Sequence, residues 1–266
     1  MANDAALNPG ANALSAARLP WLRIAVAIVV LLAAVWLWRD PPVALLYLLT
    51  WSPALLRGMG VNIGISALAV ALGTAVGLIL GALALSPLAA VRVAVRCWVQ
   101  LFRNAPVLVL IYFATYVFPF ELNLFGHAVP FPDWLKATLG LALPTSAIVA
   151  EIFRGAIQSI PATQWESAQS LAFTRGQIFR LIVLPQCVRR MLPPWMNLYA
   201  SITMSTSLAS LVGVHDVVDT AQIASNTVAR TDFTILVYFT LLALFFVYCY
   251  PIARATCALE RKHERH

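Results

Sequence analysis

The residues able to do chemistry are few, and they sit in apolar surroundings. Glu151 and Arg154 stand three apart, the spacing at which helical neighbours pair. A local ion pair is expected between them, because an unpaired carboxylate in such a run is costly. Arg103, Asn104, Ala105 and Pro106 follow one another, and Pro106 removes a backbone donor and restricts the residue before it. A bend or a late helix start is expected there, with Arg103 long enough to snorkel to lipid headgroups. Between Asn197 and Ser210 lie Tyr199, Ser201, Thr203, Ser205, Thr206 and Ser207, a dense polar series with no charge. Such hydroxyls either bond back to their own helix and serve packing or line a hydrated passage for a polar solute. Both readings stay open. Cys97, Cys187, Cys249 and Cys257 have neither motif spacing nor His neighbours, so they form no metal site and no disulfide framework. No catalytic set is assigned.

The elements that carry these residues follow from composition. Only 11% of the 266 residues are charged and 61% are apolar, with mean hydropathy +0.82. A soluble domain carries roughly 25% charged residues, so this chain lacks the polar surface to cover a globule of its size. A bilayer core of about 30 Å needs about 20 helical residues. Apolar stretches near that length occupy residues 22–38, 59–85, 98–118, 134–152, 194–214 and 233–250. They predict an all-α, polytopic transmembrane bundle of six helices; a β-barrel would show short alternating segments instead. The first stretch follows Arg18 and Arg23 and ends at Trp38, Arg39, Asp40 and two prolines without a small-residue cleavage pattern. It is expected as a retained helix, not a signal peptide. Residues 42–56 are apolar but broken by Pro53, which suggests an interfacial helix along the outer surface. Residues 118–132 contain several prolines and suit an outer loop. In the second stretch Gly60 and Gly64, then Gly73, Gly77 and Gly81, recur every fourth residue. That rhythm permits close helix approach, within the monomer or at a dimer seam.

With six spans, Arg18, Arg23, Arg92, Arg96, Arg103, Arg154, Arg175, Arg180, Arg189, Arg190, Arg254, Arg261, Lys262 and Arg265 share one side, and Arg39, Arg57, Lys136 and Arg230 the other. The bias places both termini in the cytoplasm. The formal charge of +7 is therefore a topology signal, since no nucleic-acid reading element accompanies it.

The segment between the fourth and fifth spans is long and patterned. Thr163 with Glu166 fits a capping box, after which Trp165, Ala168, Leu171 and Ala172 fall on one face. Thr174 with Gln177 offers a second box, followed by Ile178, Phe179, Ile182 and Val183 before Pro185. Two short helices with a turn near Phe173 are expected. The first could lie on lipid or insert into a partner's groove. The chain has no phosphate-binding glycine loop, so any energy input comes from elsewhere.

These residues resemble the membrane subunits of ATP-binding-cassette importers, in the polar amino acid uptake family. That family's cytoplasmic motif reads Glu-Ala-Ala, three residues, Gly, nine residues, Ile, one residue, Leu-Pro. The matching run here is Glu166, Ser167, Ala168, then Ala172 at the glycine position, then Ile182, Leu184 and Pro185. Residues 102–106, 150–155, 164–166, 192–194 and 206–210 carry further family motifs. The resemblance implies a type I ABC importer permease at residues 58–266, with a coupling region at 155–193, and residues 1–57 added in front. It implies that residues 163–172 form a coupling helix seated in a cytoplasmic ATPase dimer, which uses ATP and Mg; this chain binds no cofactor and performs no covalent chemistry. A second permease subunit, identical or different, and a periplasmic amino-acid-binding protein complete the implied assembly in the bacterial inner membrane. Arg103, Pro106, Glu151 and Arg154 take structural or gating roles, and Asn197, Ser201, Thr203, Ser205, Thr206 and Ser207 the translocation path. The Asn-Ala-Pro run resembles systems for glutamate, aspartate or glutamine. Two departures stand out: Ala172 replaces a glycine, and Met204-Ser205 replaces a frequent Lys-Asp pair. The competing class is an autonomous ion-coupled secondary transporter, which would pair ionisable groups near the bilayer midplane.

Overall fold

The computed structural model describes residues 43–124 and 127–263. The expected first span, 22–38, lies outside them. The chain divides into two compact units, 1–50 and 51–266. Of the first, the described part is the opening of helix α1 (Val43–Leu83), where the Thr50 hydroxyl donates to Leu46 O. The rest of α1 and every later element belong to the second.

α1 is one helix of 41 residues that continues through Pro53. The expected separate interfacial helix at 42–56 is therefore not separate. Apolar residues on all sides favour continued helix, and a proline inside such a helix costs one hydrogen bond without forcing a stop. At about 61 Å, α1 is twice the length a hydrocarbon core requires. It ends where Pro87 approaches, and α2 (Ala89–Asn104) follows. Ala105 is extended, as a residue before proline must be, and Pro106 starts α3 (Val107–Val117). The two helices meet at 106°. The expected third span, 98–118, is thus a broken one, bent where Pro106 predicts.

A hairpin of β1 (Glu121–Leu124) and β2 (His127–Pro130) pairs Glu121 with Pro130 and Asn123 with Ala128. Phe120 and Phe131 continue the pairing, with Phe131 N–H donating to Phe120 O at 2.8 Å. Between them and α4 (Asp133–Gln158) sits the ammonium of Lys136, fully buried, 3.8 Å from the Phe120 ring centre and 3.2 Å from Asp133 Oδ1. A buried cation held by a ring face and a carboxylate fixes the hairpin on the helix.

α4 is the central element, buried along most of its length by small residues such as Ala137, Gly140, Ala147 and Ala150. Gly73, Gly77 and Gly81 of α1 lie against it: a Cβ at these positions would come within 2.5 Å of Thr145, 2.6 Å of Val149 and 2.7 Å of Phe153. This half of the glycine rhythm serves packing within the chain. Gly60 and Gly64 have open space beside them.

After α4 come α5 (Ala162–Ser170) and α6 (Arg175–Gln177), then a π-helical turn Ile178–Val183 that runs directly into α7 (Leu184–Ser205). The second short helix does not end at Pro185. Leu184 N–H donates five residues back to Phe179 O, and this wider register carries the helix past the proline that lacks a donor. A 3-10 segment (Thr206–Val212) ends at Gly213, φ +88°. The expected fifth span, 194–214, is therefore composite. α8 (Val217–Val228), for which no helix is expected from the apolar runs, precedes α9 (Thr231–His263). Among the described residues, α1, α4 and α9 are long and apolar enough to cross a membrane alone, and the bent α2–α3 pair qualifies jointly.

One buried polar junction ties distant segments. Asn62 Nδ2 donates to Thr206 Oγ1 and to Asp216 Oδ2, both at 3.0 Å, and its Oδ1 accepts from Val217 N at 3.1 Å. Asp216 also caps α8 through Val218 N and Asp219 N. Gly58 admits the approach, because a Cβ there would meet the Val217 backbone at 2.7 Å. Burial pushes the Asp216 carboxyl up, against the opposing pull of the Asp219 N–H, Asn62 and the Val218 N–H. A carboxyl raised in the folded state holds its proton more tightly folded than unfolded. Its contribution is therefore present below the unfolded value and lost as pH rises through the folded one.

Two measurements test this packing. Gly77→Val should lower the thermal midpoint in detergent, at a cost of about 1–3 kcal/mol, whereas Gly64→Ala should leave it unchanged. Asn62→Leu orphans buried groups at about 1–3 kcal/mol each and should lower the midpoint further.

Candidate functional site

The segment expected to couple to an ATPase, 155–193, is a compact mount with an exposed tip. Ala156 and Ile160 at the end of α4, Ala168 of α5, Ile178 and Val183 of the π turn, and Cys187 of α7 form one buried cluster, with Trp165 and Ile182 against it. Gln186 Nε2 donates to Gln164 Oε1 at 2.7 Å, and Arg190 donates to Ser159 O at 2.7 Å and Ser159 Oγ at 2.8 Å. Gln164 thus fastens α5 to α7, and Arg190 ties α7 to the end of the helix before α5. Thr163, Glu166, Ser167 and Pro185 lie toward the outside of this mount, and Leu184 is half-buried.

Two local expectations change. Pro161, not Thr163, is the N-cap of α5, so the first capping box does not form. Proline sets the extended entry and Thr163 falls inside the first turn, where it helps line a groove with Gln164, Ser167, Ala168, Leu171 and Ile182. Trp165 and Ala168 pack inward, but Leu171 is 72% exposed and Ala172 is exposed too, because the helix stops between them and the packed face. The second box forms as expected: Thr174 N–H donates to Gln177 Oε1 at 2.9 Å and Thr174 Oγ1 accepts from Gln177 N.

The stop is a Schellman turn: Phe173 N–H donates to Ala168 O and Ala172 N–H to Gln169 O. It requires the left-handed region at Ala172, where φ is +59°. The alanine therefore bears the strain that the glycine of the family motif avoids. Ala172→Gly should stabilise the region by about 1 kcal/mol, readable as slower hydrogen exchange over residues 165–180.

A second polar place lies where α2 crosses α4. Arg92, Arg96, Gln100 and Arg103 recur along one side of α2, while Val95 and Val99 pack on Ala150 and the indole N–H of Trp98 donates to Ser146 Oγ at 3.1 Å. Glu151 Oε2 pairs with Arg103 and its Oε1 with Arg154 at 3.4 Å. Arg103 thus reaches across to α4 instead of snorkelling to headgroups. Ala84, Arg92, Val95, Arg96, Val99, Gln100, Ala150, Glu151 and Arg154 bound a cleft of about 280 Å3. Arg92 is held by Ser86 O at 2.9 Å and Pro87 O at 2.7 Å. Arg92, Arg96 and Arg154 line the cleft with Glu151, which also pairs with Arg103, so the cleft is cationic yet offers both signs.

The hydroxyls of α7 divide. Thr203 and Thr206 are fully buried, with bonds to Tyr199 O and Thr203 O. Ser205 and Ser207 also bond back to their own helix, to Ser201 O and Met204 O. Asn197 and Ser201 are exposed, as is Met204. Trp195 Nε1 donates to Thr74 Oγ1 at 2.9 Å, and the Tyr199 and Tyr248 hydroxyls meet at 2.6 Å, locking α7 to α1 and α9. Arg96 and the Asn62 junction escape sequence reasoning. Their surroundings come from distant parts of the chain, and the recurrence of arginine along α2 reads equally well as a mark of the cytoplasmic side.

A bundle of apolar helices with a helical loop mounted between the fourth and fifth expected spans defines a membrane transport subunit, and comparison with known proteins agrees. The chain belongs to the family described as binding-protein-dependent transport system inner membrane component, which matches residues 73–261. It is 29% identical over 215 residues to the probable amino-acid ABC transporter permease protein YckA of Bacillus subtilis, covering 80% of this chain and 91% of that one. It is 32% identical over 210 residues to the octopine transport system permease protein OccM of Rhizobium radiobacter, covering 78% and 84%. The crystal structure of an amino acid ABC transporter with histidines aligns with TM-score 0.71 and 25% identity over 82% of this chain and 97% of that one. The chain is an amino-acid ABC importer permease subunit of the type I fold, a transport component whose ATPase is a separate subunit.

Proposed function

We propose that this chain moves glutamate, aspartate or glutamine across the bacterial inner membrane, receiving the amino acid from a periplasmic binding protein and taking power from a cytoplasmic ATPase dimer that uses ATP and Mg. The observation that carries the substrate reading is the charge pattern of the α2–α4 cleft, lined by Arg92, Arg96, Arg154 and Glu151, the last paired with Arg103 and Arg154. An amino acid brings an ammonium and a carboxylate together, and a cleft with both signs and a cationic excess suits one with a second carboxylate or an amide.

Both termini and the coupling region lie in the cytoplasm in this reading, and the hairpin faces the periplasm. α5 is the coupling helix. Its mount explains how it bears load, and Leu171 and Phe173, exposed just past its end, with the exposed Leu181 of the π turn, give an ATPase groove an apolar contact. Asn197 and Ser201 on α7 are poorly suited to lipid, which supports a second permease subunit opposite them across a hydrated path.

Trp165 is packed into the mount, so Trp165→Ala loosens α5 itself. Glu166 is exposed and gives the cleaner test. Glu166→Lys with Leu171→Ala should abolish copurification of the ATPase while leaving the permease's thermal midpoint unchanged; full retention of the ATPase would sink the coupling assignment. Uptake by the permease alone in liposomes, driven by an ion gradient without ATP, would instead support a secondary transporter.

A further inference from the structure

Charge in the α2–α4 cleft is unevenly committed. Arg103 and Arg154 each take one oxygen of Glu151, which occupies that carboxylate from both sides. Arg92 is held by two backbone carbonyls. Arg96 lines the same cleft, and among the described residues it has no hydrogen-bond or ion-pair partner. It sits one turn along from Arg92 and one turn before Gln100, on a helix whose neighbouring face is fixed by Val95 and Val99 against Ala150. Its guanidinium therefore has a defined backbone position and no acceptor.

We infer that Arg96 is the specificity-determining residue of this permease, receiving the side-chain carboxylate of an acidic amino acid. This rests on the reading of the cleft as the amino acid's station. The cleft that Arg96 lines joins the apolar Ala84, Val95, Val99 and Ala150 to the polar Gln100 and Glu151. Arg96 is itself exposed, so its guanidinium is open to an arriving anion. A planar fork of donors also matches a carboxylate with two parallel hydrogen bonds. A neutral amide in the same place accepts through one oxygen and presents its NH2 to a cation. Glutamate and glutamine have nearly the same shape, so their difference in binding isolates the contribution of Arg96. The remaining cleft groups serve what the two amino acids share: Glu151, loosened from one arginine, takes the ammonium, and the released guanidinium takes the α-carboxylate.

The test uses the intact complex of permease and ATPase, without binding protein and without nucleotide, so that selectivity upstream does not enter. Equilibrium dialysis with radiolabelled glutamate and radiolabelled glutamine is run on wild type, Arg96→Gln and Arg96→Lys. The expected result is a loss of about tenfold or more in glutamate affinity for Arg96→Gln, while glutamine changes less than about threefold and Arg96→Lys, which keeps the charge without the fork, retains part of the preference. Equal losses for both amino acids would make Arg96 a structural residue, and unchanged glutamate affinity would make it a bystander; either overturns the inference while the cleft reading stands. If Glu151→Gln leaves both affinities unchanged, or wild type binds neither amino acid, the cleft reading falls and the inference with it. Repeating the measurement in phosphatidylcholine vesicles with and without phosphatidylglycerol should give the same glutamate preference. Loss of that preference with the anionic lipid would assign Arg96 to a headgroup and overturn the inference as well.

Discussion

The distance between α1 and α4 governs the rest of the structure. In lipid there is no water to expel between helices, so association depends on dispersion, which decays steeply with separation. Gly73, Gly77 and Gly81 remove the atoms that would hold the backbones apart, and Thr145, Val149 and Phe153 fill the space. α4 answers with small residues on its other sides, which lets α2, α3 and α7 crowd it together. With α4 fixed, Glu151 is placed opposite Arg103, and Ala156 and Ile160 are placed under α5. The cleft and the mount are two ends of one packing solution.

The parts legible in sequence are those decided within a few residues of chain. Pro106 bends the chain because it restricts Ala105 and lacks a donor, and Thr174 and Gln177 satisfy one another's backbone three residues apart. The apolar stretches at 134–152 and 233–250 became the cores of α4 and α9 because length and hydrophobicity alone decide a span. The first short helix, α5, and the turn near Phe173 were legible too, whereas the second helix runs on into α7.

The parts that were not legible depend on what local signals compete with or on what lies far away. Thr163 and Glu166 satisfy the capping pattern, but Pro161 presets the entry of α5 two residues earlier and wins. Pro185 looks like a stop, yet the π turn changes register before it and the helix survives. Asn62 reads as one polar residue in an apolar run until α8 is seen to begin at Asp216, 154 residues later. Glu151 offers an obvious partner in Arg154, which hid the second one on α2.

Local strain and long-range connection meet in the coupling region. α5 is held by the hydrophobic cluster, by Gln164 on Gln186, and through the neighbouring contact of Ser159 with Arg190, so it has little freedom to slide on its mount. A displacement imposed on it is delivered to both the end of α4 and the start of α7. Glu151 precedes Ala156 on α4 by five residues, about 7.5 Å of helix rise. Moving that end of α4 changes its separation from α2, where Arg103 reaches across to the same carboxylate. The ion pair joining the two helices is therefore the first interaction of the cleft to feel the load. If α5 is the ATPase contact, the energy of closure acts on the ion pair of the α2–α4 cleft before it reaches the aromatic lock at Trp195 and Tyr199, which keeps α7 aligned with α1 and α9.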